Sequence, residues 1–172
     1  MPQSFSEGFI ELFDRHFVRL FRYLDRLSGD PDLAGDIAQD AFVKLFERGS
    51  FPDTPEAWLI TVATNLFRNV RTTQARRRRL LTPARGSEVL GDAPPAPDAS
   101  IDAAESQRGV RQAIDRLPER ERQLLLLRAE GYSYHDIALA LELNEASIGT
   151  LLARAKQSFR GFYEEAVHAP RG

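Results

Sequence analysis

The chain has 172 residues, 42% of them hydrophobic and 28% charged, with 23 basic and 25 acidic side chains, a formal charge of −2 and a pI near 6.0. That length suits one ordinary domain or two small ones; no apolar run approaches the roughly 20 residues of a membrane span, and residues 1–30 lack the basic-then-apolar order of a signal peptide. The absence of cysteine excludes a disulfide scaffold and a thiolate zinc site, and three scattered histidines, His16, His135 and His168, argue against a histidine metal centre.

In chain order the pattern reads almost entirely as helix. Ser4-Phe5-Ser6-Glu7 fits a capping box. Ile10, Phe13, Phe17, Leu20, Phe21, Leu24 and Leu27 then follow at steps of three and four, one apolar stripe that ends at Ser28-Gly29-Asp30. Asp30-Pro31 opens a second helix with an aspartate cap and proline at its first position. Its apolar face is Leu33, Ile37, Ala41 and Leu45, with Phe42 and Phe46 beside it, and it stops at Gly49. Thr54-Pro55-Glu56 repeats the cap-then-proline signal. The third helix runs through Trp58, Leu59, Val62, Ala63, Leu66, Phe67 and Val70 into the arginine run, and the spacing of Trp58 to Val62 and Leu66 puts the indole in a buried stripe.

Residues 81–106 break the periodicity with prolines, glycines and acids and no aromatic side chain, the composition of a flexible acidic linker. Beyond it, Leu117-Pro118-Glu119 opens a helix carrying Leu124 to Leu127 and ending at Gly131. Ser133-Tyr134-His135-Asp136 is a further capping-box candidate, followed by Ile137, Ala138 and Leu141. After the turn Glu142-Leu143-Asn144, a longer helix with Asn144 as its cap carries Ile148, Leu151, Leu152 and Ala155. A small residue on the first short helix, a tight turn and a longer second helix make a helix-turn-helix. Its second helix would set Asn144, Glu145, Ser147, Thr150, Arg154 and Lys156 near the base edges and phosphates of a major groove. The fold class is therefore all-α, with two small helical modules, residues 1–80 and 107–168, joined by the acidic linker 81–106.

Charge is segregated along this plan. Residues 1–65 carry 6 basic and 11 acidic side chains; residues 66–85 carry seven arginines and no acid; residues 86–106 carry five acids and no base; residues 107–172 carry 10 basic and 9 acidic. The near-zero total hides a dipole, so separate segments are suited to partners of opposite charge.

Two modules in this order resemble a bacterial sigma-70-family factor of the extracytoplasmic-function (ECF) type. The matching stretches are Asp32-Leu-Ala-Gly-Asp-Ile-Ala-Gln-Asp-Ala-Phe42, Pro55-Glu-Ala-Trp-Leu-Ile-Thr-Val-Ala-Thr-Asn65, Leu117-Pro-Glu-Arg, Tyr132-Ser-Tyr-His-Asp-Ile-Ala138 and Leu152-Ala-Arg-Ala-Lys156. The resemblance implies a transcription initiation factor, with no enzymatic activity and no cofactor. In that family, Asp32, Asp36, Gln39, Asp40 and Phe42 fall where core RNA polymerase docks through its clamp. Asn65, Arg68, Asn69, Arg71 and Arg76, Arg77, Arg78 and Arg79 fall where the melted −10 element is held. The helix-turn-helix residues fall at the −35 element, near the polymerase flap. The implied partners are core polymerase, promoter DNA and, in many members, an anti-sigma factor; the implied location is the cytoplasm. Two departures stand out. Glu142 occupies a turn position where the family often has glycine, and Gly149 and Leu151 stand where it usually has basic residues. A polymerase-independent helix-turn-helix regulator is the alternative, and the acidic second helix and Asn65 argue against it.

Overall fold

The computed structural model describes residues 4–81 and 101–170, and the chain divides into two compact units, Met1–Ala93 and Pro94–Gly172. Among the described residues there are seven α-helices, one 3-10 turn and no strand. The part of the expected linker at 82–100 lies outside them.

The first unit is three helices: α1 (Phe5–Ser28), α2 (Pro31–Arg48) and α3 (Pro55–Leu81). Their ends follow local chemistry. The Ser4 hydroxyl accepts from the Glu7 amide at 3.3 Å, and the Glu7 carboxylate accepts from the Ser4 amide at 3.1 Å, so two orphan donors of α1 are satisfied reciprocally. Gly29 closes the helix at φ 69°, its amide donating to the Asp25 carbonyl at 2.7 Å. One residue on, the Asp30 carboxylate caps α2 through the Leu33 amide at 3.1 Å, with Pro31 at the first helical position. Ala34, Ala38 and Ala41 keep the inner face of α2 flat, which lets α1 come close enough to bury Leu20, Tyr23, Leu24 and Leu27. Leu59, Ile60, Ala63 and Phe67 of α3 complete this core. The Tyr23 hydroxyl meets the Thr64 hydroxyl at 3.3 Å inside it, so the polar end of a fully buried tyrosine is satisfied where α1 meets α3.

The buried His16 ties the same two helices together. Its Nδ1 lies 2.9 Å from an Arg19 guanidinium nitrogen, which can only donate, so the ring proton sits on Nε2 and is donated to the Glu56 carboxylate at 3.1 Å.

The second unit comprises α4 (Ile101–Arg116), α5 (Glu119–Ala129), α6 (Tyr134–Leu141), a 3-10 turn at Glu145–Ser147 and α7 (Ile148–His168). Helix α4 corrects the sequence reading twice. It begins inside the stretch assigned to the linker, and no helix was anticipated before Leu117. Only Gly109 and Ala113 of α4 are buried, although Val110, Ala113, Ile114 and Leu117 recur at helical spacing. Long-range packing holds it. Gly109 lets α4 lie against Tyr163 and Val167 of α7, where an added Cβ would meet ring and methyl atoms at 3.2 and 3.3 Å. The Arg116 guanidinium stacks 4.4 Å from the centre of the Phe162 ring and pairs with Glu165 at 2.6 Å. Arg122 of α5 then donates to the carbonyls of Ile114, Asp115 and Leu117, satisfying the end of α4.

Helices α6 and α7 form the helix-turn-helix. The Ser133 hydroxyl caps α6 by accepting from the Asp136 amide at 3.1 Å. At the far end the Leu143 amide donates to the Ala138 carbonyl at 2.8 Å, and Arg120 donates to the Leu141 carbonyl at 2.8 Å. This closure sets Glu142 at φ 55° and ψ 48°, the left-handed region that glycine enters without penalty. Glu142 is thus where the fold carries backbone strain. Glu142→Gly is expected to raise stability by about 1 kcal/mol, read as a shift in the urea midpoint at unchanged slope. Asn144 caps the 3-10 turn, its side-chain oxygen accepting from the Ala146 amide at 3.0 Å, rather than α7 itself, which starts at Ile148.

Candidate functional site

In the first unit α2 turns one charged face outward. Asp32, Asp36, Gln39 and Asp40 are all exposed, and helical spacing sets them along one side with Val43 and Glu47 continuing the row. Beneath the acids lies a shallow groove lined by Phe17, Phe21, Pro31, Gly35 and the acids Asp32 and Asp36. The groove exists because α1 carries phenylalanine at every fourth position from Phe5 to Phe21, each half-buried beside α2. An apolar floor under an acidic rim suits the hydrophobic face of a basic partner helix. Sequence reading found the rim and missed the floor, although the five-phenylalanine repeat is the signal that marks it.

Phe42 does not belong to this surface. Only 2% exposed, it packs edge-on against Phe13 at 5.0 Å and Phe9 at 6.1 Å between ring centres. The spacing that places it near the acids in sequence points it inward, because it sits 200° around the helix from Asp40. Phe46, 56% exposed, is the phenylalanine of α2 that reaches the surface.

Helix α3 presents a second surface, and from Arg71 to Leu81 every one of its residues is exposed. Asn65, Arg68, Asn69, Thr72, Arg76 and Arg79 fall at steps of three and four on one stripe, opposite the face that buries Leu59, Ile60, Ala63 and Phe67. Trp58 stands on the same outward side, two turns before Asn65. It is half-buried rather than the core residue its spacing to Val62 and Leu66 implies. The arginines do not act as a block. Arg77 and Arg78 turn away from the stripe to either side, and Arg71 leans back over the Phe67 ring at 5.5 Å. Among the described arginines of this helix, Arg68, Arg76 and Arg79 share the Asn65 stripe and could follow one nucleic-acid backbone with it.

In the second unit the expected contacts are dispersed around the head of α7. Asn144, Glu145, Ser147, Thr150, Arg154 and Lys156 are all exposed. The carboxylate of Glu145 is engaged by His135 at 3.1 Å, and the side-chain oxygen of Asn144 is committed to its cap. Thr150 and Arg154 lie on the outward side of α7, while Lys156 falls on its flank. Leu151 is half-buried against the unit. Ala153 and Gln157, not anticipated from sequence, are exposed on the same outward face beside Thr150.

Among the described residues no cluster of histidine and carboxylate side chains is placed to hold a metal ion, and no helix is long and apolar enough to cross a membrane.

Comparison with known proteins matches both units. Residues 12–77 match sigma-70 region 2, and residues 107–159 match sigma-70 region 4. The chain is 28% identical over 163 residues to the ECF RNA polymerase sigma factor SigE of Mycolicibacterium smegmatis, covering 93% of this chain and 63% of that protein, so it spans a little under two thirds of that relative. It is 32% identical over 140 residues to the ECF RNA polymerase sigma factor EcfG of Rhodopseudomonas palustris, covering 77% of this chain and 70% of that one. In fold it resembles the sigma factor RpoE solved in complex with the anti-sigma factor NepR from Bartonella quintana, with a TM-score of 0.69 at 22% identity over 92% of this chain and 98% of that one.

Proposed function

The chain belongs to the sigma-70 family, in its ECF branch, and from that premise we propose that it binds core RNA polymerase and directs it to a particular set of promoters. The observation that carries this reading is the pairing, within the first unit, of the acidic α2 face with the Asn65 stripe on α3. A protein that only bound duplex DNA would have use for the helix-turn-helix and none for an acidic docking face beside a polar DNA-facing helix.

The division of labour follows from chemistry. Asp32, Asp36, Gln39 and Asp40 dock on a basic surface of the polymerase clamp, with Phe17 and Phe21 receiving its apolar side chains. Asn65 and its neighbours hold the −10 element as single strand. Its amide offers both donors and acceptors to the edge of an unpaired base, while Arg68, Arg76 and Arg79 neutralise the adjoining phosphates. The helix-turn-helix engages the −35 element near the polymerase flap. No covalent chemistry is assigned to the chain; strand opening feeds the polymerase active site. Work of this kind belongs in the cytoplasm, and an anti-sigma factor of the sort bound to RpoE would regulate it by covering these same faces.

Co-elution with core polymerase on size exclusion tests the reading, and a chain that never associates with core sinks it. A second expectation separates the arginines. For holoenzyme on a promoter, Arg68→Ala, Arg76→Ala and Arg79→Ala should each reduce the slope of log affinity against log salt by roughly 0.7 to 0.9. Arg77→Ala should leave that slope unchanged, and equal effects at all four would mean that the arginines act as an undirected cloud.

A further inference from the structure

Helix α7 turns an unusually bare surface outward where it would enter DNA. On the outward side of its first turns stand Thr150 and Ala153, with Gly149 exposed on the flank beside Tyr134, and only then the longer Arg154 and Gln157. Nothing in the fold requires glycine at 149. Its backbone is helical, and a methyl group there would touch only the edge of the Tyr134 ring, at an ordinary 3.8 Å. Gly149 is the second residue of α7, and alanine would fit there as well. A bare position that neither packing nor φ demands leaves room for what approaches from outside. With no side chain at 149 and one carbon at 153, the helix backbone can lie deep in a major groove. The groups that then reach the groove floor are two methyls, the Cγ2 of Thr150 and the Cβ of Ala153.

The major groove presents one apolar feature of its own, the C5-methyl of thymine. One turn on, Gln157 carries a side-chain amide able to pair with the N6 and N7 of adenine, and Arg154 at the side is placed for phosphate. We infer that the second unit reads its DNA element through thymine methyl groups packed on Thr150 and Ala153, so that the element is built on A·T pairs at that point rather than on guanines gripped by arginine. This inference rests on the sigma-factor reading above and adds the chemical identity of what the second unit recognises.

The test uses holoenzyme assembled from the full chain and core polymerase. Duplexes randomised upstream of a fixed −10 element are selected for binding, and each thymine of the winning upstream element is then replaced by deoxyuridine, which lacks only the methyl. The expected result is an element containing T·A pairs in which deoxyuridine at one or two positions weakens binding about fourfold each, the worth of one buried methyl. Thr150→Ser keeps the hydroxyl and removes the methyl; it should erase the penalty at one position, and Ala153→Gly should erase it at the other. Arg154→Ala should weaken all upstream sequences alike. Selection of an element dominated by G·C pairs, or deoxyuridine tolerated at every position, would overturn the inference while leaving initiation intact. So would initiation with no upstream sequence enriched. Failure of the holoenzyme to form overturns the sigma-factor reading together with it, and that outcome is recognised by the missing complex.

Discussion

Replacing Asn65 by alanine is expected to slow promoter opening by roughly 10- to 100-fold while leaving the affinity for core polymerase unchanged. The side chain is exposed on the outward side of α3 and contributes nothing to the buried face of Leu59, Ile60, Ala63 and Phe67, so the substitution removes hydrogen-bonding groups without opening a cavity. The proposed contact exists only after the base has left the duplex. Its loss therefore falls on the melting step, where an unpaired base must be held against the pull of restacking. Fluorescence of 2-aminopurine placed in the −10 element reports the opening directly. Normal opening by the Asn65→Ala holoenzyme would move the recognition of melted DNA away from this stripe.

Asp36→Arg is expected to do the reverse. Asp36 stands at the rim of the Phe17–Phe21 groove, one helical turn from Asp32 and Asp40. Arginine there sets like charge against the basic partner proposed for this face, a penalty of several kcal/mol. That amounts to a loss of affinity for core of at least about 100-fold, measurable by fluorescence anisotropy with labelled chain. Asp36 is exposed, so the variant should melt at the same temperature as the parent. A matched loss of stability would place the residue in the fold rather than on a docking face. Asp36→Asn separates charge from shape, since it keeps the volume and should give an intermediate loss.

Much of the first unit was legible because its determinants are local. The Ser4–Glu7 box, the Asp30 cap before Pro31 and the closures at Gly29 and Gly49 all lie within a few residues of the ends they fix. The Leu20, Leu24 and Leu27 positions follow from helical period alone. What escaped depends on partners distant in sequence. Phe42 and Phe46 lie one turn apart on the same side of α2, and the difference is made by α1, whose Phe13 and Phe17 pack on Phe42 while Phe46 meets Phe5 and Phe9 near its start. Helix α4 carries only a short apolar pattern at Val110, Ala113, Ile114 and Leu117, and it is packed by Tyr163, Phe162 and Arg122 from other helices. Trp58 shows the converse: its spacing to Val62 and Leu66 suggests a buried stripe, yet all three are half-buried at the margin of the core.

The same distinction holds for the candidate sites. The acids of α2 and the Asn65 position were visible as motifs, but the alignment of Arg68, Arg76 and Arg79 with Asn65 needed the helix to continue unbroken to Leu81. In the helix-turn-helix, Glu142 signalled a departure at the turn, and the backbone there takes the left-handed conformation despite the glutamate. Ala153 and Gln157 went unnoticed because small or neutral residues carry no charge signal. Their significance appears only once the outward face of α7 is known.

The most direct measurement is transcription from fragmented genomic DNA by core polymerase with and without the full chain, with transcript 5′ ends mapped. The expected result is a discrete set of start sites that appears only when the chain is present and is lost with Asp36→Arg. Identical 5′ ends in both reactions, or tight and specific DNA binding by the chain unaffected by core polymerase, would contradict it.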